Sequence, residues 1–327
     1  MPMPRTTLGL QPILQAQRRI APFVRPTPLV RSAPLSAQTG GDVWLKLECQ
    51  QPTGSFKVRG ALNKLGLLGP EEKARGLVTA SAGNHALGVA FAAQAWGGAQ
   101  ADIFVQANAP PAKVDKLRHF DIRLHLEGNT YEEAHQAAEA FARQTGAVYV
   151  QAYDDLDVIA GQGTMGLEIL SDLPGTDLIL VPVGGGGMIA GVATVAKAMN
   201  PGCQVIGVQP EASPAALLSL RDGTPYDPYG AGPTIADGLA GGFGPLPFYV
   251  AQTLIDRILL ASEAELRRAI FTLLDQHQLV VEASGAIAIA PLLNGSVDAA
   301  GRTVVCIVSG GNLASALLRD ILAEFIP

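Results

Sequence analysis

Asp177-Leu178-Ile179-Leu180-Val181-Pro182-Val183 runs straight into Gly184-Gly185-Gly186-Gly187-Met188. The first seven residues read as a short buried strand, and a helical pattern follows over 189–199. Four glycines at such a junction permit the backbone angles and close approach that a phosphate needs, with the amide N–H groups of the helix start aimed at it. The same cluster could also close a tight loop and nothing more. Gly185, Gly187 and Ala190 satisfy a relaxed dinucleotide fingerprint, with Glu211 beyond the next strand at 204–209, so a nicotinamide oxidoreductase stands as a rival. No Gly-Lys-Ser or Gly-Lys-Thr follows the glycines, which excludes a Walker-type loop.

The strand-to-glycine pattern recurs on both sides. Thr303-Val304-Val305-Cys306-Ile307-Val308 leads into Ser309-Gly310-Gly311-Asn312, and a short strand at 76–80 leads into Ser81-Ala82-Gly83-Asn84-His85 and a helix reaching about residue 96. Upstream, the alternating run Asp42-Val43-Trp44-Leu45-Lys46-Leu47-Glu48 gives way through Pro52-Thr53-Gly54 to a helical pattern over 56–68, with Lys57 at the junction. An amine in a mostly apolar surrounding loses its proton readily, and only the neutral amine attacks a carbonyl, so Lys57 is a candidate Schiff-base lysine. Taken alone, it reads as a surface lysine at a helix start, and it is the other segments that turn the reading.

Taken together, Ser55-Phe56-Lys57-Val58-Arg59-Gly60-Ala61, Ser81-Ala82-Gly83-Asn84-His85, Gly184 to Gly187 and Ser309-Gly310-Gly311-Asn312 resemble the serine/threonine dehydratase and serine racemase group of pyridoxal-phosphate enzymes, with the tryptophan-synthase-β-like fold. The resemblance runs from Thr27-Pro28-Leu29 to Asn312 and takes in Val158 to Thr164 and Thr234 to Gly238. It implies pyridoxal 5'-phosphate as cofactor, held by Lys57, and a catalytic role for Lys57 in moving the substrate's Cα proton. It further implies Asn84 at the cofactor's 3'-oxygen, Gly184, Gly185, Gly186, Gly187 and Met188 as phosphate cup, Phe56 and Gly238 against the ring, and Ser309 at its nitrogen. Ser81, Ala82, Gly83, Asn84 and His85 would grip the substrate carboxylate by their main chain, and Tyr153 would shape the side-chain pocket. Glu282 matches a family position near the ring. The implied reaction turns L-threonine or L-serine into a 2-oxo acid and ammonia; a racemase, or a dehydratase of another β-hydroxy amino acid, is the alternative. A module that binds the cofactor without turnover would leave the lysine unexplained.

Three departures sharpen the expectation. Racemases of this group carry a second serine where this chain has Ala82, so elimination is favoured over racemisation. Members with a bound divalent cation supply carboxylates where Gln209, Ser213 and Ala215 stand here, so no metal is expected, although Glu211 lies close by. Gln151-Ala152-Tyr153-Asp154 replaces the His-Pro stretch of many relatives.

Strands alternating with helices predict an α/β fold with two sets of strands in mainly parallel sheets flanked by helices, and the resemblance implies two lobes with the cofactor in the cleft between them. The resemblance implies a large lobe of residues 1–75 and 153–327 with a small lobe, 76–152, inserted in it. Capping boxes are expected at Thr130-Tyr131-Glu132-Glu133 and Ser262-Glu263-Ala264-Glu265, and Asp154, Asp155 and Asp157 are expected in a solvated turn capping the next helix rather than at a cation. The 327 residues, 48% hydrophobic with 37 glycines, suffice for two cores. A net charge of −6 gives no reason to expect nucleic acid or an anionic membrane as partner. Cys49, Cys203 and Cys306 read as reduced thiols rather than a disulfide framework. Residues 1–7 lack the pattern of a secretory signal, and no apolar run is long enough to span a bilayer, so a cytoplasmic location is expected, while the resemblance implies a homodimer. With the chain ending at Pro327, no appended regulatory domain is expected.

Overall fold

The computed structural model describes residues 7–326. Most of the stretch read for a signal, residues 1–6, therefore lies outside the described residues. The elements in chain order begin with α1 (Leu10–Ile20), β1 (Leu29–Arg31), α2 (Ala33–Thr39), β2 (Asp42–Lys46), α3 (Lys57–Leu67), α4 (Pro70–Ala74), β3 (Leu77–Ala80), α5 (Asn84–Ala95) and β4 (Ala101–Val105). They continue with α6 (Pro111–Leu117), β5 (Arg123–Leu126), α7 (Tyr131–Thr145), β6 (Val148–Tyr149), α8 (Leu156–Asp172), β7 (Leu178–Pro182), α9 (Gly187–Met199) and β8 (Gln204–Pro210). The last are α10 (Ala215–Asp222), α11 (Pro245–Ala251), β9 (Arg257–Ala261), α12 (Glu263–His277), α13 (Ala283–Ala286), α14 (Ala290–Leu293), β10 (Thr303–Ile307) and α15 (Ser315–Phe325).

Two sheets result. Six strands run in the order β1-β2-β10-β7-β8-β9, all parallel but for the antiparallel edge strand β1, and four run in the order β5-β4-β3-β6, all parallel. The α/β class with mainly parallel sheets is as the sequence predicts. Both central strands β7 and β3 are buried along their whole length, because helices cover both faces of a parallel sheet. Val58, Leu62 and Leu65 of α3 share one apolar cluster with Leu77, Val89, Ala101 and Val150, so α3 packs on the smaller sheet although it precedes it in the chain.

α8 runs through the middle and is buried all round from Val158 to Leu170. Glycine in a helix interior costs about 1 kcal/mol relative to alanine, yet this helix carries Gly161, Gly163 and Gly166. Close approach explains two of them. A Cβ on Gly161 would lie 2.6 Å from Arg59 O and Gly60 Cα of α3, and a Cβ on Gly191 of α9 would lie 2.6 Å from Gly163 N and Ile159 O. Bare backbone thus meets bare backbone on either side of α8, which fixes how far α3 stands from α9.

Beneath that contact lies a closed ionic cluster. Arg59 donates from Nε to Glu48 (2.7 Å), from Nη1 to Glu168 (2.6 Å) and Thr164 (3.0 Å), and from Nη2 to Glu48 and Glu168 (both 2.8 Å). Lys46 Nζ reaches Glu168 at 2.6 Å and Thr27 O at 2.7 Å. Burial works against the Glu48 carboxylate, but the Arg59 charge and its hydrogen bonds prevail and hold it below its ordinary range. Two cations and two anions balance, and every guanidinium N–H is used, which is what a buried cluster requires.

Two capping expectations resolve differently. Ser262 and Glu265 form the reciprocal box. At α7, Thr130 Oγ1 accepts from Glu133 N at 3.2 Å, but the Glu133 carboxylate takes Asn129 N at 2.5 Å instead of Thr130 N, so only half of the box forms. Asp155 caps α8, accepting from Asp157 N and Val158 N, and Lys64 reaches it at 2.7 Å. All three cysteines are free, with Cys203 and Cys306 buried.

Candidate active site

Lys57 is the first residue of α3, reached by a turn from Gln51 to Ser55 that pairs with Gly310 through a bridge at Ser55. Its Nζ donates to Ala152 O at 2.9 Å and lies 5.4 Å from the centre of the Phe56 ring. Burial lowers its pKa to about 8, since no carboxylate stands against it to offset the loss of hydration. Next door, burial first and the Lys57 charge second bring His85 down to about 3. The His85 ring is neutral and meets Val150 O from Nε2 at 2.9 Å. That side chain is spent on the core, which leaves His85 only its main chain for a ligand.

From Ala152 the chain passes to Tyr153, whose ring lies on the glycine turn: a Cβ on Gly185 would run into that ring, and one on Gly187 would sit 3.2 Å from Tyr153 Cα. Gly186 takes φ 92°, a left-handed conformation closed to most side chains, and a Cβ there would run into Phe243. Main-chain N–H groups from Gly184 to Ile189 have no hydrogen-bond partner among the described residues, while Ala190 N is the first to bond inward, to Gly186 O. A row of unpartnered donors at the start of a 13-residue helix is an anion site in chemical character. Met188 is the second residue of α9, so Gly184 to Met188 run without a break into that helix start.

Gly184 abuts the segment carrying Gly238, whose O would be 3.1 Å from an added Cβ. Gly238 N donates to Ser284 Oγ at 3.0 Å, and the buried Ser309 hydroxyl donates to Ser284 O at 3.3 Å. Ser309 O in turn accepts from Phe56 N at 3.1 Å, which returns the path to Lys57. Lys57, Tyr153, the glycine turn, Gly238, Ser309 and Phe56 therefore close into one ring of contacts. Asn84, the first residue of α5, joins through Glu282 (Nδ2 to Oε1, 2.6 Å) and Asn312 (Oδ1 from Nδ2, 2.7 Å). Burial first, opposed by the Asn84 hydrogen bond, pushes Glu282 up to about 7.

On the small-sheet side, Ser81 Oγ accepts from Gly83 N at 3.1 Å, and Ala82 packs against the apolar cluster of Ala86, Leu87 and Leu117. Tyr153 OH donates to Asp227 at 3.1 and 3.2 Å; burial raises both groups. At the position considered for a cation, Gln209 Oε1 instead caps α10, accepting from Ala216 N (2.9 Å) and Leu217 N (3.2 Å), and Glu211 is exposed. No cluster of three metal-ligating His, Cys, Asp or Glu occurs among the described residues. Sequence reasoning missed Ala152 O, Ser284 and Asp227 as parts of this site, each of which acts through a contact made only on folding, and it gave Asn312 a place in a motif but no role.

The donor set fits pyridoxal phosphate. The turn offers unpartnered N–H groups for a phosphate, the amine is partly deprotonated near neutrality, and the buried Ser309 hydroxyl belongs to the same ring of contacts. Among the described residues, no helix is long and apolar enough to cross a membrane.

The family described as pyridoxal-phosphate dependent enzymes matches residues 20–310. The chain is similar to the L-threonine ammonia-lyase of Thermotoga maritima, 46% identical over 316 residues that cover 96% of this chain and 78% of that one. It superposes on the processed threonine deaminase isoform 2 of Solanum lycopersicum with a TM-score of 0.91 at 34% identity, over 97% of this chain and 88% of that one. Maize serine racemase superposes with a TM-score of 0.90 at 33% identity, over 97% and 98%.

Proposed function

The chain belongs to the family of pyridoxal-phosphate-dependent enzymes, and we propose that within it the protein is an ammonia-lyase that converts L-threonine, L-serine or both to a 2-oxo acid and ammonia. One observation carries the reading: the Lys57 amine, lowered to about 8, sits in a closed ring of contacts with an anion-binding glycine turn and a buried serine hydroxyl.

Pyridoxal phosphate, when bound, supplies a carbonyl that joins covalently to amines and a ring that takes up electrons as the Cα–H bond breaks. Gly184 to Met188 would hold its phosphate, Asn84 its 3'-oxygen, Ser309 its ring nitrogen, and Phe56 and Gly238 its two faces. Lys57 is the base for the Cα proton, because a pKa near 8 leaves an appreciable neutral fraction at physiological pH and a strong enough base to act. Ser309 offers a hydroxyl rather than a carboxylate, so nothing here balances a full positive charge on the ring nitrogen. The main chain of Ser81 to His85 grips the substrate carboxylate, and Tyr153, tied to Asp227, walls the side-chain pocket.

Ala82 supports elimination over racemisation. A two-base racemase needs an acid on the face opposite the lysine, and a methyl group packed among Ala86 and Leu87 cannot give a proton. Incubation of the cofactor-loaded protein with L-threonine and with L-serine tests the reading, following 2-oxo acid, ammonia and D-enantiomer in the same samples. Keto acid and ammonia in equal amounts with little D-amino acid are expected; dominant D-serine would overturn the assignment.

The lobe boundaries, 1–75 with 153–327 and 76–152, belong to the same proposal, supported by a four-stranded sheet whose strands all fall between Leu77 and Tyr149. So do a homodimer and a cytoplasmic location, which sedimentation and cell fractionation would test.

A further inference from the structure

Asn312 closes the last of the four motifs, yet the chemistry above gives it no part. Its side chain donates from Nδ2 to Asn84 Oδ1 at 2.7 Å and to Thr53 O at 2.9 Å, and its Oδ1 accepts from Lys116 Nζ at 2.9 Å. Asn84 Nδ2 then donates to Glu282 Oε1 at 2.6 Å. We propose that Lys116, Asn312 and Glu282 form a relay of fixed polarity that orients the side-chain amide of Asn84 toward the cofactor, so that Asn312 and Glu282 are positioning residues for that amide.

Groups that can only donate or only accept decide the direction of such a chain. A primary amide has an oxygen and a nitrogen of nearly equal size and can turn over wherever its partners tolerate both. An ammonium only donates, so the Asn312 oxygen must face Lys116. That leaves the Asn312 nitrogen toward Asn84 and Thr53, where the Thr53 carbonyl, which only accepts, demands the same orientation. An Asn312 nitrogen turned toward Asn84 takes the Asn84 oxygen, so the Asn84 nitrogen faces Glu282, whose carboxyl oxygen accepts from it. A flipped Asn84 would set its oxygen against the Glu282 carboxylate and its N–H against the Asn312 N–H. In the orientation observed, one N–H of Asn84 goes to Glu282 and the second is left to donate elsewhere.

The proposal rests on the cofactor reading above and deepens it. An oxygen anion on the cofactor ring requires a donor from Asn84, and the relay guarantees one. Lys116 belongs to α6, between β4 and β5 of the smaller sheet, whereas Asn312 follows β10 of the larger. The neighbouring Lys113 pairs with Asp237, next to Gly238. Docking of α6 on the larger sheet is thereby tied to the orientation of Asn84.

The test measures the visible absorption band and the dissociation constant of pyridoxal phosphate on loaded protein, with borohydride reduction to confirm the pyridoxyl mass on Lys57. Asn312→Asp puts an acceptor where Asn84 needs a donor, and should shift the band and weaken retention about tenfold, the effect of one charge-assisted hydrogen bond. Glu282→Leu should do the same, while Glu282→Gln, which keeps an acceptor oxygen, should restore the wild-type band. Lys116→Met, a change at an exposed residue that leaves folding intact, should weaken retention about twofold. In an Asn84→Ala background, Asn312→Asp should add nothing. A loaded Asn312→Asp protein with wild-type band and affinity, or an undiminished effect without Asn84, would overturn the relay alone. A wild-type chain that takes up no cofactor on Lys57 would bring down the cofactor reading and the relay with it.

Discussion

Gly161→Ala places one methyl group between the two helices whose spacing sets the site. Its Cβ would stand 2.6 Å from Arg59 O and Gly60 Cα and 2.9 Å from Arg59 C. Ordinary carbon contacts begin near 3.5 Å, so α3 must retreat from α8 by roughly 0.9 Å, and the atoms in the way are backbone rather than a flexible side-chain end. Overpacking of this kind costs about 1–3 kcal/mol, partly offset by about 1 kcal/mol of helix propensity gained over glycine. The melting temperature should therefore fall by only a few degrees. Catalysis should suffer more, because Lys57 lies two residues before Arg59 and moves with α3 while the glycine turn stays with α9. A misplacement approaching 1 Å at a reacting group is worth about a hundredfold in rate. Initial rates of 2-oxo acid formation and calorimetric melting would be measured side by side, with Gly230→Ala as control, since an added Cβ there meets nothing within 4 Å. A folded Gly161→Ala protein that retained its rate within about threefold would refute the claim that α8 spaces the lysine from the turn.

Three further outcomes are expected. In cofactor-free protein the Lys57 amine, at about 8 folded against 10.5 unfolded, opposes folding by up to about 3 kcal/mol below pH 8; the penalty fades as pH rises from 8 to 10.5, where the unfolded chain also loses the proton. Lys57→Met should accordingly unfold at higher urea than wild type at pH 7 and converge on it near pH 10.5, and a pH-independent difference would contradict the assignment. Arg59→Met leaves Glu48 and Glu168 with only Lys46 as counter-charge and should lose about 3–5 kcal/mol of stability, read as a drop in urea midpoint; a loss under 1 kcal/mol would show the cluster to be dispensable. Tyr153→Phe removes the hydroxyl from Asp227 and should raise KM for L-threonine by about three- to tenfold with kcat little changed, whereas an unaltered KM would take Tyr153 out of the pocket wall.

What the sequence disclosed was chemistry concentrated at strand ends. Gly184 to Gly187, Ser309 and the Lys57 junction are each legible because a buried strand, a glycine and a helix start follow one another within a few residues, and the parallel sheet then brings those ends to one edge. Contacts across the chain were not legible. Ser284 joins Gly238 to Ser309 through one hydroxyl and one carbonyl, and nothing in the run from Val280 to Ala286 distinguishes it from a helix-start serine. His85 sat inside a motif read for ligand contact, yet its ring was claimed by Val150 O, a carbonyl 65 residues away. At Thr130 the box pattern is present, but Asn129 N competes for the same carboxylate and wins it.

Gly161-Gln162-Gly163 shows why motif and meaning can part. Read as a sequence, the stretch is a point of likeness to relatives and carries no chemistry of its own. In the fold, Gly161 faces α3 and Gly163 faces α9, so the two residues set opposite sides of a single spacer. Neither touches the place where a ligand would sit. The amine on α3 and the anion site on α9 come from stretches about 130 residues apart, and neither can adjust to the other without parting backbone from backbone. A site assembled this way is tuned by the bulk of residues outside it, which is why one methyl group on α8 is expected to cost more in rate than in stability.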